Sequence, residues 1–423
     1  MISLRNAAWS GAIDPTSRKG VGPGLWWSHE SEKLERPPCR SPMFNLGEIS
    51  MKKTLIALAA LGAMAGVAHA QSTVTLYGLL DGNIQSYKSN YLVGTGATAN
   101  IQSLTQTKID SGGLNGSRWG MRVKEDIGGG MFIVGNLESG LNLDTGASGQ
   151  GGLLFGRRAN VGVSSGFGTL TIGRNSSSYD DVSGDHAMMI QSIFDPSNTN
   201  NGPSVATVAT TAGALSLLNR NTTWVGYNTR FNNSVKYDTP NFSGFSGSVM
   251  YAFGEDKNSA NSASKTVSAN LKFSNGPLLV SGGYQSEAPT NTLVNVGKPA
   301  LQNALLSAAY DLGVAKIGVG FNRAKFKDVA PGVSVDAQKE WNLSVAVPLG
   351  AATLSAGYAQ SKGDTLGKST GFGIQALYAL SKRSTLYAGA QSTKNFDRLA
   401  SFAPAGSNVG RTETYGLGLR HTF

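Results

Sequence analysis

The sequence predicts an all-β protein, a sixteen-stranded antiparallel transmembrane β-barrel. Three observations carry that reading. Beyond residue 70, apolar side chains recur at every second position in one segment after another, which is the period of a strand with one greasy and one wet face. The connections between these segments alternate between short and long, as in an up-and-down barrel that shows its turns to one compartment and its loops to the other. Finally, the chain ends inside such a segment. Tyr415, Leu417, Leu419 and Phe423 face one way and Thr414, Gly416, Gly418, Arg420 and Thr422 the other, with His421 the one polar residue on the apolar face. A terminal strand in a soluble domain usually trails into loose residues, whereas a spanning barrel must pair its last strand with its first and leave no open edge in lipid.

In chain order, strand-like segments begin near residues 73, 114, 131, 153, 169, 220, 245, 264, 278, 302, 315, 338, 352, 369, 384 and 411, sixteen in all. An even number leaves both ends on the same side, as antiparallel closure requires. The spacing accommodates the roughly 9 to 11 residues that a tilted spanning strand needs. Residues 73–81 alternate in part. Ala315, Ile317, Val319 and Phe321 oppose Lys316, Gly318, Gly320 and Asn322, and Trp341, Leu343, Val345 and Val347 oppose Asn342, Ser344 and Ala346. Leu354, Ala356 and Tyr358 oppose Thr353, Ser355 and Gly357, and Phe372, Ile374, Ala376, Tyr378 and Leu380 form a further outward row. Short connections fall at 127–130, 165–168, 275–277, 312–313, 349–351 and 381–383, and long polar ones at 88–113, 255–264, 286–300, 327–337, 361–369 and 393–410. Tyr251, Phe253, Tyr310, Phe321, Trp341, Tyr358, Tyr378 and Tyr387 lie near strand ends, where barrels carry their interfacial aromatic girdles. A secreted β-sandwich would share the alternation, but its strands are shorter and its loops need not alternate in length.

Residues 51–70 have the three parts of a secretory signal peptide: Lys52 and Lys53, an apolar run, and Ala68-His69-Ala70 as the cleavage site. Cleavage leaves Gln71 first. Residues 1–50, which hold the only cysteine, Cys39, and show no periodicity, read as a non-native upstream extension with Met51 the initiator. The mature chain, 71–423, is then cysteine-free and owes its order to backbone pairing and packing. The extension carries six basic and five acidic residues and the signal two lysines, so the whole-chain charge of +10 becomes +7. No basic run in the mature chain exceeds Arg157-Arg158 or Lys382-Arg383, which argues against a nucleic-acid partner. Nowhere do 18 apolar residues run together, so a membrane can be crossed only by strands.

One connection stands apart. After 169–174 about 45 residues pass before the next wall segment, and they include Tyr179, Asp180, Asp181, Asp185, His186, Phe194 and Asp195. A loop of that length in a compact protein is usually functional or disordered. Its first half, acidic but carrying Met188, Met189, Ile190 and Phe194, suits a segment folded against an inner wall, and its small-residue stretch 197–216 an exposed excursion. Enzyme chemistry finds little support. The mature histidines, His186 and His421, are far apart, His186 beside Asp185 and Asp181 is a weak metal candidate, and the glycines 128–130 open no helix that could cradle a phosphate. No cofactor is expected. The alternatives from other classes are an outer-membrane barrel enzyme and an adhesin-like barrel without an open pore.

A series of phrases, in order, resembles the trimeric general-diffusion porins of the Gram-negative outer membrane, the beta-proteobacterial branch in particular. They are Val74-Thr-Leu-Tyr-Gly78, Ser117-Arg-Trp-Gly120, Glu125-Asp-Ile-Gly-Gly-Gly130, Leu137-Glu-Ser-Gly140, Leu154-Phe-Gly-Arg157, Gly168-Thr-Leu-Thr-Ile-Gly-Arg174, Asn233-Ser-Val-Lys-Tyr237 and the terminal Phe423. The resemblance implies a homotrimer in outer-membrane lipid that passes ions and small hydrophilic solutes, with its third long loop folded inward to narrow the pore. It implies a constriction lined by Arg118, Arg157, Arg174 and Arg230, faced by Asp180, Asp181 and Asp185 of the loop. Arg158 stands where the family more often has a neutral polar residue, which leaves open whether Arg157 or Arg158 enters the lumen. Four arginines against three acids imply a mild anion preference. The terminal Phe423 resembles the signal read by the barrel-assembly machinery, and the last strand is expected to pair with 73–84.

Overall fold

The computed structural model describes residues 72–93, 100–189, 192–197, 223–259, 262–288, 300–327, 336–398 and 408–423. The expectations for residues 1–71 and for most of the excursion at 197–216 lie outside these. The strands are β1 (Thr73–Val93), β2 (Asn100–Ser111), β3 (Arg118–Gly128), β4 (Met131–Gly140), β5 (Arg158–Ser165), β6 (Gly168–Ser176), β7 (Arg230–Asp238), β8 (Phe245–Phe253) and β9 (Lys265–Asn275). They continue with β10 (Leu278–Ala288), β11 (Ala300–Asp311), β12 (Lys316–Lys327), β13 (Gln338–Leu349), β14 (Ala352–Gly363), β15 (Gly367–Ala379), β16 (Ser384–Lys394) and β17 (Asn408–Thr422). All pairings are antiparallel, those from β3 to β17 run between successive strands, and β17 returns to β1. β2 and β3 are two halves of one wall strand, both paired with β1, so the closed barrel has sixteen walls.

The closing register differs from expectation. The β1–β17 ladder runs from Leu79 opposite Thr422 to Tyr91 opposite Asn408, and Gly78 and Phe423 exchange backbone hydrogen bonds of 3.0 and 3.1 Å. With Phe423 opposite Gly78, no residue of β17 remains for 73–77, and Thr73 to Leu79 pair on the other flank with β3 instead. The loop expected at 88–113 is largely strand, because β1 and β2 pair continuously from Gly82–Ser111 to Val93–Asn100. Most of β2 is exposed at successive positions on both faces, so the apolar alternation that marks a buried strand is absent there. The connection expected at 361–369 likewise shrinks to 364–366, while the walls expected from 153 and 220 begin at Arg158 and Arg230.

Outward residues such as Leu76, Ile172, Leu271, Leu343 and Leu417 are exposed, as a lipid-facing belt demands, and so are the proposed girdle aromatics except one. Tyr387 points inward and is 4% exposed. Its hydroxyl donates to the carboxylate of Asp81, which also accepts the backbone N–H groups of Gly113 (3.2 Å), Leu114 (2.8 Å) and Asn115 (2.8 Å). This fully buried carboxylate folds 112–117 into the lumen, which is why the second wall is split into β2 and β3.

The packed interior lies between the wall and the long connection that follows β6. Tyr179, Val182, Trp224 and Tyr227 of that connection pack with Leu305 and Ala359 of the wall, and Met189 and Phe194 pack with Leu114 and Tyr387. The wall makes room with glycine. A Cβ on Gly320 would stand 2.7 Å from the His186 ring, and one on Gly389 2.6 Å from the Phe194 ring, both inside any tolerable contact. The apolar half of the loop therefore lies against the inner wall, as its composition predicts.

Asp81→Ala leaves three amides and a hydroxyl without their acceptor, so a loss of about 1–3 kcal/mol is expected. It is measured as a lowered denaturant midpoint of the refolded barrel by tryptophan fluorescence. An unchanged midpoint would mean that the carboxylate is dispensable.

Candidate functional site

Alternation along the early strands decides which basic groups face water. Met121 and Val123 of β3 share the outer face with Leu137 and Val161, so Arg118, Arg122 and Lys124 fall on the inner one. The Arg118 Nε lies 4.0 Å from Oε2 of Glu138, whose other oxygen accepts Nε–H of Arg157 at 2.6 Å. The Tyr77 hydroxyl donates to the same Glu138 at 2.8 Å. Arg158 is the cross-strand partner of Glu138 and shares the inner face with Asn160 and Gly162. Both arginines of the pair thus reach the lumen. Arg230, at the start of β7, donates to Thr229 Oγ1 at 2.9 Å and lies within electrostatic reach of Arg157, Arg158, Glu138 and Asp180.

Arg174 departs from the expectation. It has the parity of the exposed Leu170 and Ile172, and its guanidinium is used by the carbonyl of Gly156 (2.7 Å) and by Asn232 Oδ1 (2.6 Å). A register shift between Gly173 and Asn175 leaves it without a ladder partner on β7.

The acids divide in a way the sequence reading did not foresee. Asp180 is within electrostatic reach of Arg230 and Arg158, and it accepts the Tyr227 hydroxyl at 2.8 Å. Burial lifts its carboxyl above the ordinary range, although Arg230 and Tyr227 oppose the shift. Asp181 instead pairs with Lys236 at 2.5 Å, and Asp185 with Lys272 at 3.0 Å. Lys236 also meets Asp238 at 3.5 Å. The two lysines and Asp238 are the members that were missed. Parity could have found Lys236, which alternates with the outward Val235 and Tyr237.

Two wall carboxylates hold the returning limb of the loop. Glu340 accepts the N–H of Val225 at 2.5 Å, and Glu287 accepts that of Asn228 at 2.9 Å. In the outgoing limb, Ser344 Oγ donates to the His186 carbonyl at 2.7 Å and accepts from the N–H of Met188 at 3.0 Å. The His186 ring stacks on Trp224 with centroids 5.1 Å apart, and is 1% exposed. A loop pinned across the lumen, opposite a row of guanidinium groups, can narrow a passage and set up a transverse field.

The model of a family described as Gram-negative porin matches residues 57–398. The chain belongs to this family. An outer membrane porin protein of Bordetella pertussis is 29% identical, the match covering 88% of this chain and all of that one. Outer membrane porin protein 32 of Delftia acidovorans is 30% identical over the same shares. Among solved structures, an anion-selective porin from Comamonas acidovorans superimposes with a TM-score of 0.66 at 24% identity, covering 84% of this chain and all of that one, a likeness of fold. The porin is therefore an outer-membrane diffusion channel that crosses the membrane many times with its strands, and the family points to a channel rather than an enzyme.

Burial holds the His186 imidazole of this porin at about 4, well under its ordinary 6.5. Above pH 6.5 the ring is neutral whether the loop is docked or released. As the pH falls towards 4 the released loop binds a proton that the docked loop refuses, and docking weakens by about 3 kcal/mol. Proteolysis within 182–189 is expected to be faster at about pH 4.5 than at neutral pH, with the difference lost in His186→Phe. Equal protection of the unsubstituted porin at both pH values would refute this.

Proposed function

We propose that this porin passes small hydrophilic solutes with a mild preference for anions, as a homotrimer in outer-membrane lipid. Its eyelet is lined on one flank by Arg118, Arg157 and Arg230 and on the other by Asp180, Asp181 and Asp185 of the inward loop. The convergence of Arg118 and Arg157 on one carboxylate, Glu138, with Arg230 within electrostatic reach of it, carries the reading. Guanidinium remains charged at any physiological pH, and a narrow passage through a low-dielectric wall weakens screening of its field. The lysines neutralise Asp181 and Asp185, so the arginines outweigh the acids left to oppose them, Glu138 and Asp180. The anion-selective porin from Comamonas acidovorans, similar in fold, supports the same sign.

Phe423 serves as the mark read by the barrel-assembly machinery, and the chain reaches the outer membrane after removal of 51–70 near Ala70. These two readings rest on the sequence.

Recordings of the refolded protein in a salt gradient are expected to give a reversal potential of anion-preferring sign, reduced when Arg118 and Arg157 are both replaced by Gln. Cation preference in the unsubstituted protein would refute the assignment. Closure of single insertions in three equal steps tests the trimer. Deleting Phe423 is expected to lower the yield of assembled protein in the outer membrane and to leave conductance unaltered, and a normal yield would remove Phe423 from assembly.

A further inference from the structure

A second charged site adjoins the eyelet and shares Asp181 with it. A lumenal cavity of about 360 Å³ is lined by Arg158, Asp181, Val182, Lys236, Asp238 and Lys272, together with Thr239, Ser246, Ser248 and Asn270. Counting Asp185, its three basic and three acidic groups balance in number, but they do not pair one to one. Lys236 is occupied by Asp181 and Asp238, and Lys272 by Asp185. Arg158 makes no hydrogen bond or ion pair among the described residues, so its guanidinium donors are the ones left without an acceptor. The Ser246 side chain, in the same lining, is likewise unpartnered among the described residues. Arg158 also links two regions, being within electrostatic reach of Arg118, Arg230 and Asp180 on one side and of Asp238 on the other.

We propose that Arg158 and this cavity form a docking subsite for the oxyanion group, carboxylate or phosphate, of a permeating solute. The inference rests on the anion-preferring reading above and deepens it. A guanidinium presents paired N–H donors that match two oxygens of one such group, and here no internal acceptor competes for them. The neighbouring lysines, held by acids, add hydrogen-bonding capacity and field without a large net charge, so the site binds weakly enough to release. Conduction requires that balance, with more than one weak site along the path. An oxyanion leaving Arg118 and Arg157 meets Arg158 next, and a monatomic anion gains much less there because it cannot use the fork.

The test is single-channel recording of the refolded porin in potassium chloride, with inorganic phosphate or succinate added as a blocker. Both are expected to interrupt the chloride current of the unsubstituted channel. In Arg158→Gln the half-blocking concentration is expected to rise about tenfold, the equivalent of one charge-assisted hydrogen-bonding pair. Arg158→Lys, which keeps the charge and loses the fork, is expected to show most of that rise. Block by one anion and not the other supports the site and names its ligand. The site is overturned if neither anion blocks, if Arg158→Gln blocks like the unsubstituted channel, or if Arg158→Lys does. The reversal potential from the same bilayers is a separate reading: cation preference overturns the proposed function, whereas undiminished block in Arg158→Gln overturns the subsite alone.

Discussion

Hydrocarbon offers no partner to a backbone amide or carbonyl, and everything else in this molecule follows from meeting that constraint inside one sheet. β1 bears the largest share of it. It pairs with β17 along one flank and with β2 and β3 in succession along the other. Once the cylinder is closed, the outer face has only to be apolar and the inner face only wet. The inner face is then free to carry the charges that a lipid-facing surface would not tolerate.

A wet interior poses its own problem, since a loop laid across it must be held by something other than hydrophobic burial alone. The wall supplies two kinds of grip. Gly320 and Gly389 provide a floor low enough for rings to lie flat against the sheet, and Glu287, Glu340 and Ser344 seize backbone groups of the loop directly. Because these contacts are made to main chain, they fix the path of the loop while leaving its side chains free to set the character of the passage. Lys236 and Lys272 then tie down Asp181 and Asp185, so part of the acidic face of the loop acts as an anchor.

The wall was legible in the sequence wherever one face meets lipid and the other water. The segments from 315 to 380 have the alternation that the structure shows. The tall hairpin of β1 and β2 was not legible, because most of β2 is exposed at successive positions and polar side chains there carry no period. Tyr387 reads as a girdle residue by its place near a strand end, and only its odd parity, opposite to that of the outward Leu386, reveals that it turns inward to Asp81. The arginines were reached by motif, and the structure sets Arg118 and Arg157 on Glu138 with Arg230 within electrostatic reach. Arg174 bonds elsewhere, to Gly156 and Asn232, and a motif records a residue type and not the register shift beside it. Local pairing of acids with wall lysines depends on contacts between residues up to 87 positions apart, and no linear pattern contains it.

Asp81 belongs to β1 and Tyr387 to β16, with β17 lying between them, so the bond joining the two spans the seam at which the cylinder shuts. The same carboxylate shapes 112–117, whose Leu114 packs with Met189 and Phe194 and whose Gly113 carbonyl accepts the N–H of Ile193. The seat for the far end of the loop therefore does not exist until the first and last strands have met. Assembly has a built-in order: an open sheet cannot seat that part of its own restriction, so a barrel whose loop is fully in place has already closed.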